Sequence, residues 1–523
     1  MPLGLNGFRI FEHQEHSARE EGSTLRKLVP STAVAAVVAL AAAAAGVAAL
    51  ASVVSVNPSP VAACSVPAAG GTNYPNTEVE PFSAVNPANT ANQIAVWQQD
   101  RWSNGGADAL KAAASFDGGA TWGAQTPLPF NTCAPGGLPY ERASDPWISI
   151  GPDGIAYAVS ISFNQSNNDN AVAAVRSTNG GLSWDHLTVI RQDNNQNQFF
   201  NDKESVTADP TRPGTAYAVW DQLAGPVDNP AVLIHNFFAF TGPSWFSKTT
   251  KGGVTWSPSK IIVPMRQNQQ SIANVIVVRP NGTLYDFFTL ITGTGPNTGP
   301  KSTAPHGFAI AMIKSTDAGD TWTAPQIVQQ MHTLTVTDPN TGQSLRTADF
   351  DAAPAVDPVT GQLYLVWQDA RGTAGPNGKG AYSRILETTS TDGGAHWTDP
   401  VVVSDSPAGI SAFLPAIAVA PDGTVGLTYY DFRGLTPDNT TTLPTDIWFK
   451  SAPRGGSLAA AAESHVTGPF NMLAAPNAGG FFLGDYEGLA AGGTGFVGVD
   501  DITNCNASSC GSNPTDTYAF RLP

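Results

Sequence analysis

"SFDGGATW", Ser115 to Trp122, packs an acidic residue, two glycines and a tryptophan into one short loop, and the chain writes that loop five times. The other copies are "STNGGLSW" from Ser177, "TTKGGVTW" from Thr249, "STDAGDTW" from Ser315 and "STDGGAHW" from Ser390, with a degenerate sixth, "SAPRGGSL", from Ser451. Between them runs a second phrase, as in "SDPWISIGPDGIAYAVS" from Ser144 and "LPAIAVAPDGTVGLTYYDFR" from Leu414. Each is an apolar strand, a Pro/Asp/Gly turn and a second strand rich in Val, Tyr and Trp, which is a β-hairpin signature. A third strand enters the tryptophan loop and a fourth leaves it. The repeating unit is therefore a four-stranded antiparallel sheet. Such units in series predict an all-β chain, a β-propeller whose ring protects its strand edges. Seven hairpins argue for seven blades; six blades and a stray hairpin is the alternative. The last unit shows three strands, so a fourth is expected from residues near 61 to 75.

The loop S-x-D-x-G-x-T-W resembles the Asp box of the sialidase superfamily, and the likeness runs from about residue 61 to the end. Asp117, Asp317 and Asp392 carry the aspartate, while Asn179 and Lys251 replace it. The loop reads as a staple: the Asp side chain accepts backbone N–H groups, and glycine supplies left-handed conformations. Trp122, Trp184, Trp256, Trp322 and Trp397 would wedge against the blade edge. The resemblance implies a glycoside hydrolase of sialidase type, acting on terminal, sialic-acid-type sugars.

Strand direction separates the two faces. The turn joining strands one and two shares a face with the tryptophan loops, so the opposite mouth is built by strand-one starts and strand-two ends. Those positions hold Glu141, Arg142 and Asp145; Asp202, Lys203 and Glu204; Asp349 and Asp351; Asp485, Tyr486 and Glu487. Strand-two ends add Asp100, Arg101, Asp221, Asp369, Arg371, Tyr430, Asp431 and Arg433. In sialidases three arginines grip the substrate carboxylate, a tyrosine paired with a glutamate attacks, and an aspartate is the acid/base. The resemblance thus offers Arg101, Arg142, Arg371 and Arg433 for the clamp. Tyr430 or Tyr486 would be the nucleophile, Glu204 or Glu487 its base, and Asp145 the acid. The chain departs from the family at its first blade, where "NTEVEPFSAV" lacks the Phe-Arg-Ile-Pro motif; "GFRIFEH" at Gly7 lies before the apolar segment. Asp and Arg at strand ends also form salt bridges that merely solvate a rim, which favours a non-catalytic glycan- or protein-binding propeller as the alternative.

The 523 residues carry 26 Lys plus Arg against 42 Asp plus Glu, a formal charge of -16, which excludes a basic nucleic-acid-binding face. Residues 1–30 end in "LRKLVP", and nothing is charged from Ser31 to Val56. That pattern predicts a signal peptide cut near "ALAS" (Ala49 to Ser52) or a retained signal-anchor helix over 31–56. A lead-in over 57–75 and a propeller over 76–523 follow. The folded part is expected outside the cytoplasm, secreted or anchored, as a monomer that meets glycan and touches membrane only through its N-terminal segment. Four cysteines allow three pairings. Cys505 and Cys510 share one short loop, so a local bridge is expected there, with Cys64 tied to Cys133. No metal motif is complete and no cofactor is expected; calcium is the one ion that the acidic mouth and "DNNQNQ" at Asp193 suggest, without the glycine its loop needs.

Overall fold

The computed structural model describes residues 50–194, 198–225, 239–294, 307–373, 381–493, 495–504 and 514–523. The chain divides into two units, Met1–Ala45 and Gly46–Pro523, and all the described residues belong to the second. Among them there are strands, turns and two single 3-10 turns, and no helix is long and apolar enough to cross a membrane. The expected Cys505–Cys510 bridge and the apolar run before Leu50 fall outside the described residues.

The strands pair in seven antiparallel sets of four among the described residues. Their first strands are Asn73–Val85, Arg142–Ile150, Phe199–Ala208, Gln269–Val278, Ala352–Val356, Ala412–Val419 and Gly488–Gly492. Each pairs with the strand that follows it, as in Ile150↔Ala156 and Val419↔Val425. Each first strand packs on the first strand of the next set, and Gly488–Gly492 returns to Asn73–Val85. The arrangement is all-β and propeller-like. Second strands such as Ala156–Phe163 and Ala216–Ala224 are buried at every position, because sheets cover them on both faces. Fourth strands such as Asp185–Asp193 are exposed or half-buried along nearly all their length.

The tryptophan loops explain the docking of set on set. In the first, Ser115 Oγ accepts the Gly119 N–H at 2.9 Å, and Asp117 accepts the Thr121 N–H at 2.8 Å and its hydroxyl at 2.6 Å. Those Thr121 donors hold the Asp117 carboxyl down at about 2. The Ser315 copy repeats this geometry, and Asn179 reproduces it through Ser183. Each wedge then packs on the preceding set: Trp322 stands edge-on to Phe246 at 5.5 Å, Trp397 to Phe287 at 5.9 Å, and Trp122 joins the Val497 and Ala519 cluster of the seventh set. The second glycine needs a left-handed backbone and a missing Cβ at once: Gly319 has φ +85, and a Cβ there would enter the Phe246 ring. Gly319→Ala should therefore cost roughly 1–3 kcal/mol, and Gly118→Ala, which meets nothing, clearly less. Urea unfolding of the two variants checks this; equal losses would mean that the loop does not dock.

Two expectations about the N-terminal side are corrected. The fourth strand of the last set is not drawn from residues 61–75 but is Leu50–Val53, which pairs with Tyr518–Arg521 of the final strand. Val54 and Ser55 continue inward, Ser55 Oγ donating to Asp516 Oδ1 at 3.1 Å. The end of the apolar run, read above as membrane or signal helix to Val56, is thus an edge strand, and a cut within Ala49 to Ser52 would sever it. Alanine and valine suit either environment; here the open edge of the last sheet captures them. Cys64 and Cys133 form the expected disulfide.

Candidate functional site

The inner strands share a local distortion. In five of the sets the register slips within the first strand, and the slipped residue has positive φ without being glycine: Glu80 (54), Asp145 (54), Lys203 (46), Ala273 (57) and Leu414 (48). A β-bulge of this kind bends the strand and re-aims a side chain. In the first three sets that side chain is charged. Lys203 becomes the hub: its Nζ lies 2.6 Å from Asp485, 3.8 Å from Glu80 and 3.8 Å from Asp351. Arg346, on a two-residue strand paired in parallel with Phe481–Phe482, donates from Nε to Asp485 at 2.9 Å and again through its terminal nitrogen. Its guanidinium and that of Arg101 both lie over the Phe482 ring, at 4.4 and 5.0 Å.

Beside this hub a cavity of about 110 Å³ runs between the first strands. Lys203, Glu204, Asp351, Asp485, Tyr486 and Glu487 supply its polar wall. Phe82 and Trp147, stacked at 3.7 Å, and Tyr486, edge-on to Trp147 at 5.1 Å, supply an aromatic one. The electrostatics separate the acids. Burial would raise Asp485, but Arg346 and Lys203 outweigh it and hold its carboxyl far below the usual range. Burial pushes Asp351 up to about 7 against the pull of Lys203. Burial, with the charge of Asp145, pushes Asp202 to about 7 and Glu204 well above its ordinary value. Glu487 is likewise driven up by burial and Asp501.

A pH dependence follows. Asp351 keeps its proton in the folded chain to about 7, whereas the unfolded chain releases it near 4. Its proton therefore favours the fold fully below about pH 4, and that advantage fades as pH rises to 7. The stability of the wild type relative to Asp351→Asn should fall across that window, as pH-resolved urea unfolding would show; a rising difference contradicts it.

The structure brings together only part of the expected site. Glu204, Tyr486 and Glu487 line the cavity, and Asp145 faces the hub, its carboxylate accepting from Ser144 Oγ at 2.5 Å. Tyr430 does not line it: the ring is buried against Phe413, and its hydroxyl, which donates to the Asp501 carbonyl at 3.1 Å, stands behind the wall beside the Glu487 carboxyl. The four-arginine clamp is not assembled. Arg142 donates to the carbonyls of Gly105, Pro67 and Ala68 and holds the lead-in. Arg371 folds back on Asp369 (2.9 and 2.8 Å), and Arg433 lies on Asp431 and Glu463 over the Trp448 ring at 3.6 Å. Arg101 alone stays near the hub, its guanidinium donating to Gln98 Oε1 at 2.6 Å. Sequence reading missed Glu80 and Arg346. Glu80 had a signal, since "EPF", "DPW" and "LPA" put the same proline after each of three bulged residues; Arg346 lies outside the repeat and had none. No group of three or more His, Cys, Asp or Glu among the described residues has the geometry to hold a metal ion, and residues 195–197 of "DNNQNQ" lie outside them.

No family model matches the chain, and no curated protein matches it. Among solved structures it is similar to a protein of unknown function from Dyadobacter fermentans (12% identity, 91% of this chain and 98% of that one, TM-score 0.46). It is also similar to a Hadza microbial sialidase (15%, 82% and 76%, 0.41) and to a polysaccharide lyase described as an ulvan lyase (8%, 86% and 95%, 0.47). Likenesses this distant assign no chemistry to the chain.

Proposed function

We propose that the chain is an exported, seven-bladed Asp-box propeller that hydrolyses glycosidic bonds in the ring-centre cavity. The observation that carries this reading is the convergence there of buried carboxyls with opposed proton affinities, Glu204 and Asp351 raised and Asp485 depressed, beside an aromatic wall. Two acids pushed apart in this way are what glycoside hydrolysis needs: one donates a proton to the leaving oxygen, and ionised groups stabilise the developing oxocarbenium charge. Glu204 is the proton donor in this reading, Asp351 its partner in proton transfer, and Asp485 supplies negative charge. The tyrosine nucleophile of the resemblance is the weaker element. The Tyr486 hydroxyl donates to the Pro146 carbonyl at 3.2 Å, and burial with Glu80 pushes its proton affinity up, away from an attacking phenolate. That same commitment favours the second reading, a propeller that binds glycan without cleaving it.

Export rests on the apolar run and on the Cys64–Cys133 bridge, which suits an oxidising compartment. A panel of fluorogenic glycosides, a sialoside among them, tests the hydrolase. The wild type should cleave at least one, and Glu204→Gln should cleave it about a hundredfold more slowly, the scale of losing a positioned proton donor. Glycan binding with no cleavage of any substrate would leave the binding reading in its place.

A further inference from the structure

We propose that the ring-centre cavity selects an uncharged, polyhydroxylated sugar and rejects one bearing a carboxylate. The inference rests on the reading of this cavity as a glycan site, and it fixes the chemical class of the ligand. Its basis is which hydrogen-bonding groups the wall leaves open. An anion needs a cation whose unengaged donors face it, and no cation at this cavity offers that. Lys203 is surrounded by the carboxyls of Asp485, Glu80 and Asp351. Arg346 forks onto Asp485 and sends its remaining terminal nitrogen to the Ala478 carbonyl at 3.3 Å. Arg101 is 3% exposed and bound to Gln98 through Nη1; its Nε has no partner among the described residues, but the residue is not part of the cavity lining.

Acceptors are in the opposite condition. Glu204 is 2% exposed and Glu487 3%, yet both oxygens of Glu204, Oε1 of Glu487 and Oδ1 of Asp351 make no well-formed hydrogen bond among the described residues; the N–H groups of Glu204 and Ile161 near Glu204, and the Tyr430 hydroxyl near Glu487, are poorly placed for one. Buried polar atoms are rarely left so, and an orphaned one costs about 1–3 kcal/mol until a ligand or water satisfies it. All three side chains line the cavity. Sugar hydroxyls are the donors that such a wall lacks, and the faces of Trp147 and Tyr486 match the apolar face of a pyranose or furanose ring. A carboxylate brings no donor to these oxygens, accepts from the wall only where a carboxyl such as Glu204 holds its proton, and finds Lys203 and Arg346 already committed to Asp485.

Binding, not turnover, tests this. The quenching of tryptophan fluorescence or the heat of mixing would be followed with matched oligosaccharides that differ only in a carboxylate: a neutral hexose oligomer, its uronic-acid counterpart and a sialylated one. The neutral ligand should bind at least about tenfold more tightly than either acidic one, and Glu487→Gln should weaken it while circular dichroism and melting remain those of a folded chain. Trp147→Phe, which keeps an aromatic face, should retain the neutral preference. Tighter binding of the uronic-acid or sialylated oligomer overturns the inference, and so does binding of none of the three. Neutral binding without hydrolysis removes the hydrolase reading and leaves this one standing.

Discussion

Lys203→Met should destabilise the protein by roughly 3–5 kcal/mol at pH 8, the scale of breaking a buried ion pair and leaving its partners uncompensated. Lys203 is 9% exposed and is the shared cation of Asp485, Glu80 and Asp351. Methionine keeps most of the side-chain volume, so the loss reports charge more than packing. Arg346 would still neutralise Asp485, but Glu80 and Asp351 would lose their nearest counter-charge and keep only the weaker pull of Arg101 and Arg346. The defect should shrink as pH falls below 7, because Asp351, raised by burial to about 7, then takes up a proton and no longer needs the cation. Urea unfolding at pH 5 and pH 8 measures both. A loss under about 1 kcal/mol at pH 8, or one larger at pH 5, would show that the hub is not electrostatically tied.

Removing the Cys64–Cys133 bridge should cost a comparable amount, roughly 2–5 kcal/mol, because it closes a long loop in the unfolded chain. The two cysteines are 69 residues apart in sequence and join the lead-in to the Asn131–Gly137 turn. Native contacts at the same place are sparse: Arg142 holds the Pro67 and Ala68 carbonyls, and Asn104 Nδ2 reaches Ala68 and Ala69. The double variant Cys64→Ala, Cys133→Ala should melt well below the wild type, and reductant should lower the wild type to meet it. A variant that melts within a degree or two of the wild type contradicts the argument.

Features that repeat along the chain were legible because their contacts are local. The tryptophan loop closes its own hydrogen bonds within seven residues, and the hairpins pair neighbours, so set after set follows from Asp, Gly and Pro spacing. Docking of each loop on the preceding set was not written locally: the reason Gly319 lacks a Cβ is Phe246, far back in the sequence. The arginines were misassigned for a readable reason. In "DAR" and "DFR" the aspartate and arginine stand two apart at the end of a second strand, where side chains at i and i+2 share a face. Each arginine therefore meets its own aspartate before it can meet a ligand, and Trp367 or Trp448 gives its guanidinium a ring to lie on. The hub is a meeting of separate sets, with Glu80 from the first, Lys203 from the third and Asp485 at the entry to the seventh, and only the closed ring brings them together. Leu50–Val53 was hidden by composition, since a short alanine- and valine-rich strand at the end of an uncharged run carries no turn signal of its own.

The central claim is that the ring centre, and not the face of the tryptophan loops, carries function. Crystals soaked with a neutral oligosaccharide measure it directly. The account predicts sugar density against Trp147 and Tyr486, with hydroxyls within hydrogen-bonding distance of Glu204, Asp351 or Glu487. Density seated instead on the exposed loops around Trp122, Trp256 or Trp322, with the ring centre holding only water, would contradict it.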